Sequence, residues 1–110
     1  MSYTLKYEIL SETTCEVDKL EGETTKVVIP DYYDTDGKKY KVTEIGCAAF
    51  FERKTLTSVV LPNSIKKVHL HAFLGCRNLT SINLPDGLEY IGDHAFFHCL
   101  IYMTALRQYQ

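Results

Sequence analysis

The chain has 110 residues, of which 45% are apolar and 24% are charged, enough for one domain with a modest core and too few for two. Its formal net charge of −2 leaves no excess of lysine and arginine to displace counterions from phosphate groups, which argues against nucleic-acid binding. No apolar run approaches the ~20 residues that span a bilayer, so the sequence predicts no membrane-inserted segment.

The first 22 residues predict a β-hairpin. Apolar and polar residues alternate from Tyr3 to Ile9, and a second strand-like run extends from Cys15 to Leu20. Alternation with a period of two places side chains on opposite faces of a strand, and residues 11–13 (Ser-Glu-Thr) suit a turn between two such strands. We expect an antiparallel hairpin that caps one end of the domain.

Residues 23–53 contain the strand-like segment Val27-Val28-Ile29-Pro30. Proline cannot donate a hydrogen bond to a strand ladder, so this strand should end at its proline. An insertion at residues 31–41 then contains Asp36-Gly37, a dipeptide typical of tight hairpin turns. The segment therefore predicts one short strand followed by an inserted hairpin.

An internal repeat of 23 residues is the strongest signal in the sequence. Residues 54–76 and 77–99 align without a gap, and nine of the 23 positions are identical. The period extends backward, because Phe50 lies 23 residues before Phe73. Periods of roughly 20 to 29 residues with the apolar spacing L-x-x-V/I-x-L are typical of leucine-rich repeats.

Stacking of these repeats explains the apolar pattern. Val59 and Leu61 should point inward from a short strand, while Ile65, Val68 and Phe73 should line the return path. No coil can bury its own apolar face, so each coil depends on its neighbours for stability.

The predicted fold is a mostly β leucine-rich repeat solenoid. A short parallel sheet of stacked coils of about 23 residues should face an irregular or 3₁₀ convex side, with the N-terminal antiparallel β-hairpin as a cap. The predicted parts of this single domain are residues 1–22 (the cap), 23–53 (the first coil with its hairpin insertion), 54–76 (the second coil), 77–99 (the third coil) and 100–110 (a degenerate last coil).

The repeat resembles the BspA-type leucine-rich repeat. The resemblance covers roughly residues 3–99 and is carried by L-T-S-I-x-L-P and L-x-x-I-G-x-x-A-F-x-x-C in residues 79–99, and by IP, DGKKYKVTEIG and AF in residues 27–50. It implies a binding or adhesion module of the kind found in bacterial surface proteins, without catalytic residues and located at the cell surface or secreted. If Met1 is the native start, the absence of a leader predicts a cytoplasmic protein instead.

The outward side chains of the predicted sheet, together with nearby tyrosines, form the candidate binding surface. Solenoids commonly use this face for recognition, and tyrosine offers a large contact area with a polar tip. The predicted partner-binding residues are Val28, Tyr32, Tyr33, Tyr40, Ser58, Val60, Ser81 and Asn83. We expect a protein partner, and also consider a homodimer formed through the C-terminal edge. The alternative is a solvated sheet face on a structural repeat fragment that has no partner of its own.

A second alternative function is that of a metal-responsive protein that uses a cluster of histidines. The four histidines are His69, His71, His94 and His98. His71 and His94 share a repeat position, so stacking predicts a separation of about 5 Å, at which they could share a zinc or nickel ion. Ordinary polar residues on a turn are the simpler interpretation, so no metal and no cofactor is predicted.

Cysteines at a shared repeat position are predicted to be structural. Cys76 and Cys99 should stack, but side chains of parallel coils point in an unfavourable direction for a disulfide. A small buried apolar role predicts free thiols. A cysteine nucleophile would also need a positioned histidine and a cleft, so no catalysis is predicted.

Overall fold

The structure is a computed structural model that describes residues 2–103. Met1 and residues 104–110, which hold most of the predicted last coil, lie outside the described residues. Within the described part, the chain forms nine strands and a final 3₁₀ helix: β1 Tyr3–Ile9, β2 Thr14–Gly22, β3 Lys26–Val28, β4 Tyr32–Thr35, β5 Lys38–Ile45, β6 Ser58–Val60, β7 Lys67–Val68, β8 Ser81–Ile82, β9 Tyr90–Ile91 and the helix Leu100–Met103. No helix among these residues is long and apolar enough to cross a membrane.

Two parallel ladders run across the stacked coils. Strands β3, β6 and β8 form one sheet, in which Val27 pairs with Val59 and Val59 pairs with Ile82. Strands β5, β7 and β9 form the second ladder on the return path, where Val68 lies between the equivalent residues of its two neighbours. The predicted adjacency of Val59 and Ile82, and with it the solenoid class, is confirmed.

The return path is more regular than the irregular or 3₁₀ convex side that the sequence predicted. The N–H of Phe50 donates to the carbonyl oxygen of Ala72, and the N–H of Phe73 donates to that of Ala95, both at 2.7 Å. Equal coil lengths bring the same peptide groups opposite each other at every step. Backbone groups therefore pair between coils even through the turns, as buried peptides require.

The phenylalanine at one repeat position forms the centre of the core. The ring of Phe73 stacks on that of Phe50 at 4.9 Å and on that of Phe96 at 5.2 Å, with interplanar angles of 9° and 5°. All three side chains are buried, as predicted. Leu20 of the cap continues this column, because its N–H donates to the carbonyl oxygen of Ala49.

The N-terminal hairpin caps the stack, and its second strand pairs with the first coil in the way that the coils pair with one another. Strand β2 pairs antiparallel with β1 and parallel with β5, where Val17 lies opposite Ile45. The guanidinium of Arg53 donates to the carbonyl oxygens of Leu20 and Gly22, which fastens the cap to the first coil. The cap therefore leaves no unpaired strand of the first coil at this end of the return ladder.

The inserted hairpin forms where the sequence predicted it. Strands β4 and β5 pair antiparallel, with Thr35 opposite Lys38 at the closed end. Asp36 and Gly37 connect them with φ values of 52° and 75°, the left-handed conformations that a two-residue type I′ turn requires.

Candidate functional site

The outward face of strands β3, β6 and β8 carries two adjacent exposed valines. Val28 is 52% exposed and Val60 is 40% exposed, and the two residues are direct partners in the parallel ladder. Strand side chains alternate, so the same pairing that buries Val27 and Val59 presents this valine pair to solvent. We call this surface the valine face.

Small and polar side chains surround the valine pair. Ser58 lies opposite Ser81 in the neighbouring column. Asn83 takes the repeat position of Val60 in the third coil, and its side-chain amide spans back to the second coil. There it accepts a hydrogen bond from the N–H of Leu61 and donates one to the carbonyl oxygen of the same residue. Asn83 therefore completes the ladder with its side chain, which gives it a structural role.

A cleft lies where the chain leaves the strands of the valine face. It has a volume of about 490 Å³ and is lined by Asp31, Tyr32, Lys41, Thr43, Asn63, Ser64 and Lys66. Tyr32 is 42% exposed, and the ammonium group of Lys39 lies 4.9 Å from the centre of its ring. The cleft thus combines an exposed aromatic ring with two lysines and one carboxylate. We call it the Tyr32 cleft.

Most of the cleft residues were not predicted from the sequence. Asp31 and Asn63 each directly follow the proline that ends a strand, so the repeat alignment carried a signal for them. Thr43 and Lys41 lie on β5 and reach the cleft only because the inserted hairpin folds back beside the second coil.

The other two predicted tyrosines are less exposed than Tyr32. Tyr40 is only 7% exposed and belongs to the main core. Its assignment to the binding surface is therefore wrong, because β4 and β5 pair so that this face of the hairpin turns inward. Tyr33 lies opposite Tyr40 in the ladder and is half-buried. Its ring stacks on that of Tyr7 at 4.2 Å, so it joins the inserted hairpin to the cap.

The Tyr7 phenol makes the cap sensitive to alkaline pH. Burial, and then the neighbouring Cys15 and Tyr33, raise the pKa of Tyr7 from 10.0 to about 12. Between these values the unfolded chain loses a proton that the folded chain retains, so stability is present below pH 10.0 and is lost as the pH rises towards 12. We expect Tyr7→Phe to lose less stability over this window, measured by urea unfolding at each pH.

Part of the loss of stability at alkaline pH should remain in Tyr7→Phe, because of Cys15. Burial raises the pKa of its thiol from 9.0 to about 11, so it contributes a loss that begins at lower pH. Identical alkaline stability curves for the wild type and Tyr7→Phe would contradict the role given to the Tyr7 phenol.

The histidines do not form one cluster. The rings of His71 and His94 lie 5.9 Å apart, close to the predicted separation. Both residues hold the backbone at positive φ, 60° and 55°, as Ala48 does at 56° in the first coil. The position is thus a backbone turn repeated in every coil. In the described residues, no third potential ligand joins this pair within 4.8 Å.

His69 instead lies beside two glutamate carboxylates on the outward face of the return ladder. Its Nε2 lies 2.6 Å from Oε1 of Glu44. The carboxylate of Glu16 is near both, and the three possible ligand atoms lie within 4.8 Å of one another. This grouping was not predicted from the sequence, because Glu16 joins it through the parallel pairing of the cap with β5.

All four cysteines have free thiols, which agrees with the expectation for Cys76 and Cys99. The thiols of Cys76 and Cys99 donate to the carbonyl oxygens of Phe50 and Phe73 at 3.0 and 2.9 Å. Arg53 holds the same repeat position in the first coil, where its guanidinium donates to the carbonyl oxygen of Leu20 in the cap. The neighbouring Cys76 sulfur and burial raise the pKa of the Cys99 thiol above its ordinary range, which opposes formation of a reactive thiolate.

Thiol accessibility tests this arrangement. Only Cys47 is exposed, whereas Cys15, Cys76 and Cys99 are buried. We expect an aromatic disulfide reagent to label one thiol per native chain rapidly and four per chain in denaturant. Rapid labelling of two or more thiols in the native protein would contradict the packing of the cysteines.

Solved bacterial proteins share this fold. A leucine-rich repeat protein from Bacteroides ovatus superposes with a TM-score of 0.75 at 26% identity, covering 86% of this chain and 32% of that chain. The T. pallidum Leucine Rich Repeat protein superposes with a TM-score of 0.76 at 34% identity, covering 86% and 42%. A leucine rich cell surface protein from Faecalibacterium prausnitzii gives a TM-score of 0.77 at 25% identity, covering 86% and 26%. The chain therefore spans less than half the length of each of these three proteins. No curated protein sequence matches it.

The fold and its exposed sheet face define a leucine-rich repeat solenoid, a class of domain that generally mediates protein interactions and generally lacks enzymatic activity. Residues 40–108 match the family model of the BspA type leucine rich repeat region (6 copies). The chain belongs to this family, as the resemblance in its repeats indicated.

Proposed function

We propose that the chain is a non-catalytic protein-binding module whose partner contacts the valine face and the Tyr32 cleft. The exposed pair of Val28 and Val60 is the observation that carries this proposal. Two aliphatic side chains fixed side by side on a rigid ladder offer apolar area that loses little conformational entropy on binding.

The Tyr32 cleft supports the proposal by its chemistry and position. Its residues Asp31 and Asn63 follow Val28 and Val60 by three positions in their respective coils, so the cleft continues from the same two strands. Tyrosine is a frequent anchor of interfaces because its ring packs while its hydroxyl remains hydrogen-bonded. Lys41 and Lys66 favour a partner segment that carries an acidic side chain next to an apolar one.

Adhesion is the narrower form of this proposal. One protein of similar fold is a leucine rich cell surface protein, and the resemblance of the repeats to the BspA type implies a binding or adhesion role. A surface-located module would present its valine face to a protein of another cell or of the host.

Titration with a purified partner tests the proposal. Proteins that crosslink to the wild-type chain are identified by mass spectrometry, purified and titrated against three variants. Val60→Glu and Tyr32→Ala should each weaken binding by at least about ten-fold, the effect of a modest hot spot. Tyr90→Glu is the matched control, because Tyr90 is 50% exposed on β9 of the other ladder, and it should bind as the wild type does.

Two outcomes would contradict the proposal. If every detected interaction is unchanged in Val60→Glu and Tyr32→Ala, the valine face is a solvated surface and the structural-repeat alternative is favoured. If Tyr90→Glu alone abolishes binding, the partner uses the return ladder.

A further inference from the structure

We infer that Glu16, Glu44 and His69 form a binding site for one divalent transition-metal ion, with Zn²⁺ as the best-fitting species. The site shares no residue with the valine face or the Tyr32 cleft, although Thr43 of the cleft directly precedes Glu44 on β5. Each residue comes from a different part of the stack: Glu16 from the cap, Glu44 from the first coil and His69 from the second.

The strand pairing assembles these ligands. Glu16 lies directly opposite Glu44, because the register between β2 and β5 shifts after Cys15. Without that irregularity, the side chains of the two strands would follow a different pairing. His69 directly follows β7, and its N–H donates to the carbonyl oxygen of Ile45 at 2.9 Å, which places its side chain beside Glu44.

The neighbouring repeats leave room for the imidazole. His69 occupies the repeat position that Gly46 holds in the first coil and Gly92 in the third. A Cβ at Gly46 would lie 2.5 Å from Oε2 of Glu16, so the missing side chain is what admits the Glu16 carboxylate. The one histidine at this position therefore stands between two glycines and beside two carboxylates, an arrangement that the repeat pattern alone does not require.

The negative charge of the carboxylates around Glu16 favours a bound cation. Glu8 and Asp18 lie within 4.8 Å of Glu16 through their own carboxylates. Across residues 2–103, the ion pairs are His69 with Glu44 and Lys6 with Glu21, so no lysine or arginine neutralises Glu16.

Ligand chemistry selects the ion. Two carboxylates and one imidazole form a mixed oxygen and nitrogen set, which suits Zn²⁺, whereas Ca²⁺ and Mg²⁺ prefer oxygen ligands alone. Zinc binds such atoms at about 2.0–2.2 Å, so tetrahedral ligands lie about 3.5 Å apart. Ligand atoms within 4.8 Å of one another need to close by only about 1 Å, which rotation of the two glutamate side chains provides. Water would complete the coordination.

Zinc titration of metal-free protein tests the inference. The wild type is stripped with a chelator and titrated with ZnCl₂ near neutral pH by calorimetry, and its thermal unfolding is followed with and without zinc. We expect one ion per chain and a higher Tm with zinc. Glu44→Gln and His69→Gly, the latter taking the residue of the sister coils, should each weaken zinc binding by at least about ten-fold.

The double variant His71→Ala/His94→Ala is the matched control, and it should bind zinc as the wild type does. Glu16→Gln keeps the test valid if another variant folds poorly, because removing one of several repelling carboxylates should not destabilise the metal-free protein. This variant should fold normally and lose its response to zinc.

Three results would overturn the inference. The first is no zinc uptake by the wild type. The second is binding that survives in His69→Gly and is lost in the double variant, which would place the ion at His71 and His94. The third is equal stabilisation by Ca²⁺ and Zn²⁺ that is unchanged in His69→Gly, which would show ion binding by the carboxylates alone.

Discussion

Phe73→Ala is expected to lower the free energy of unfolding by about 3–5 kcal/mol, the usual cost of deleting a buried aromatic side chain. Phe73 is fully buried between the rings of Phe50 and Phe96. Its removal opens a cavity at the contact between all three coils, so neither neighbouring ring can refill it without breaking its own stack. Small domains are stable by about 5–15 kcal/mol, so the loss is a large part of the total.

The comparison with Phe51→Ala isolates burial from residue type. Phe51 carries the same side chain but is 44% exposed, so its removal should cost only about 1 kcal/mol. Phe73→Leu retains most of the volume and should lose about 1–2 kcal/mol, which keeps the test informative if the alanine variant is unfolded. Urea denaturation of the three variants gives the values. Equal losses for Phe73→Ala and Phe51→Ala would contradict the stacked core.

Gly92→Ala is expected to cost about 1–3 kcal/mol, the range for forcing extra atoms into a packed interior. A Cβ at Gly92 would lie 2.5 Å from the backbone nitrogen of Leu70 and 2.8 Å from the carbonyl carbon of His69. Both atoms belong to the backbone of the preceding coil, so the contact is relieved only if strands β7 and β9 move apart. That movement would stretch the hydrogen bond from the N–H of Gly92 to the carbonyl oxygen of Val68, which is 2.7 Å long.

Gly87→Ala is the matched control and should change stability in the opposite direction. A Cβ at Gly87 would meet only the terminal nitrogen of Lys66, at 2.9 Å, and this flexible end can rotate away. Restricting the unfolded chain should then stabilise the protein by about 0.4–1 kcal/mol. The difference between the two variants is measured by thermal or urea unfolding. A destabilisation of the same size in both would contradict the close approach of the coils at Gly92.

The repeat made most of the fold predictable from the sequence. Positions that recur every 23 residues have the same neighbours in each coil, so the inward direction of Val59 and the burial of Phe73 follow from one alignment. The exposed pair of Val28 and Val60 was predictable for the same reason, since strand alternation assigns every second residue to the outer face.

The features outside the repeat depend on contacts that have no local signal. Tyr40 and Tyr32 lie on the same inserted hairpin, yet one is buried and the other exposed, because the face that turns inward is set by the pairing of β5 with the cap. The meeting of Glu16 with His69 depends on the same parallel pairing and on a register shift. Pairing of distant strands cannot be derived from the composition of either strand alone.

Native-state hydrogen exchange tests the in-register stacking of the coils most directly. The amides of Phe50 and Phe73 each donate at 2.7 Å to a carbonyl oxygen one coil further along. If the coils stack as described, both amides should exchange only through global unfolding, with equal apparent free energies that match the value from urea denaturation. Rapid exchange of either amide under native conditions would show that adjacent coils are not hydrogen-bonded in this register, which would contradict the solenoid architecture.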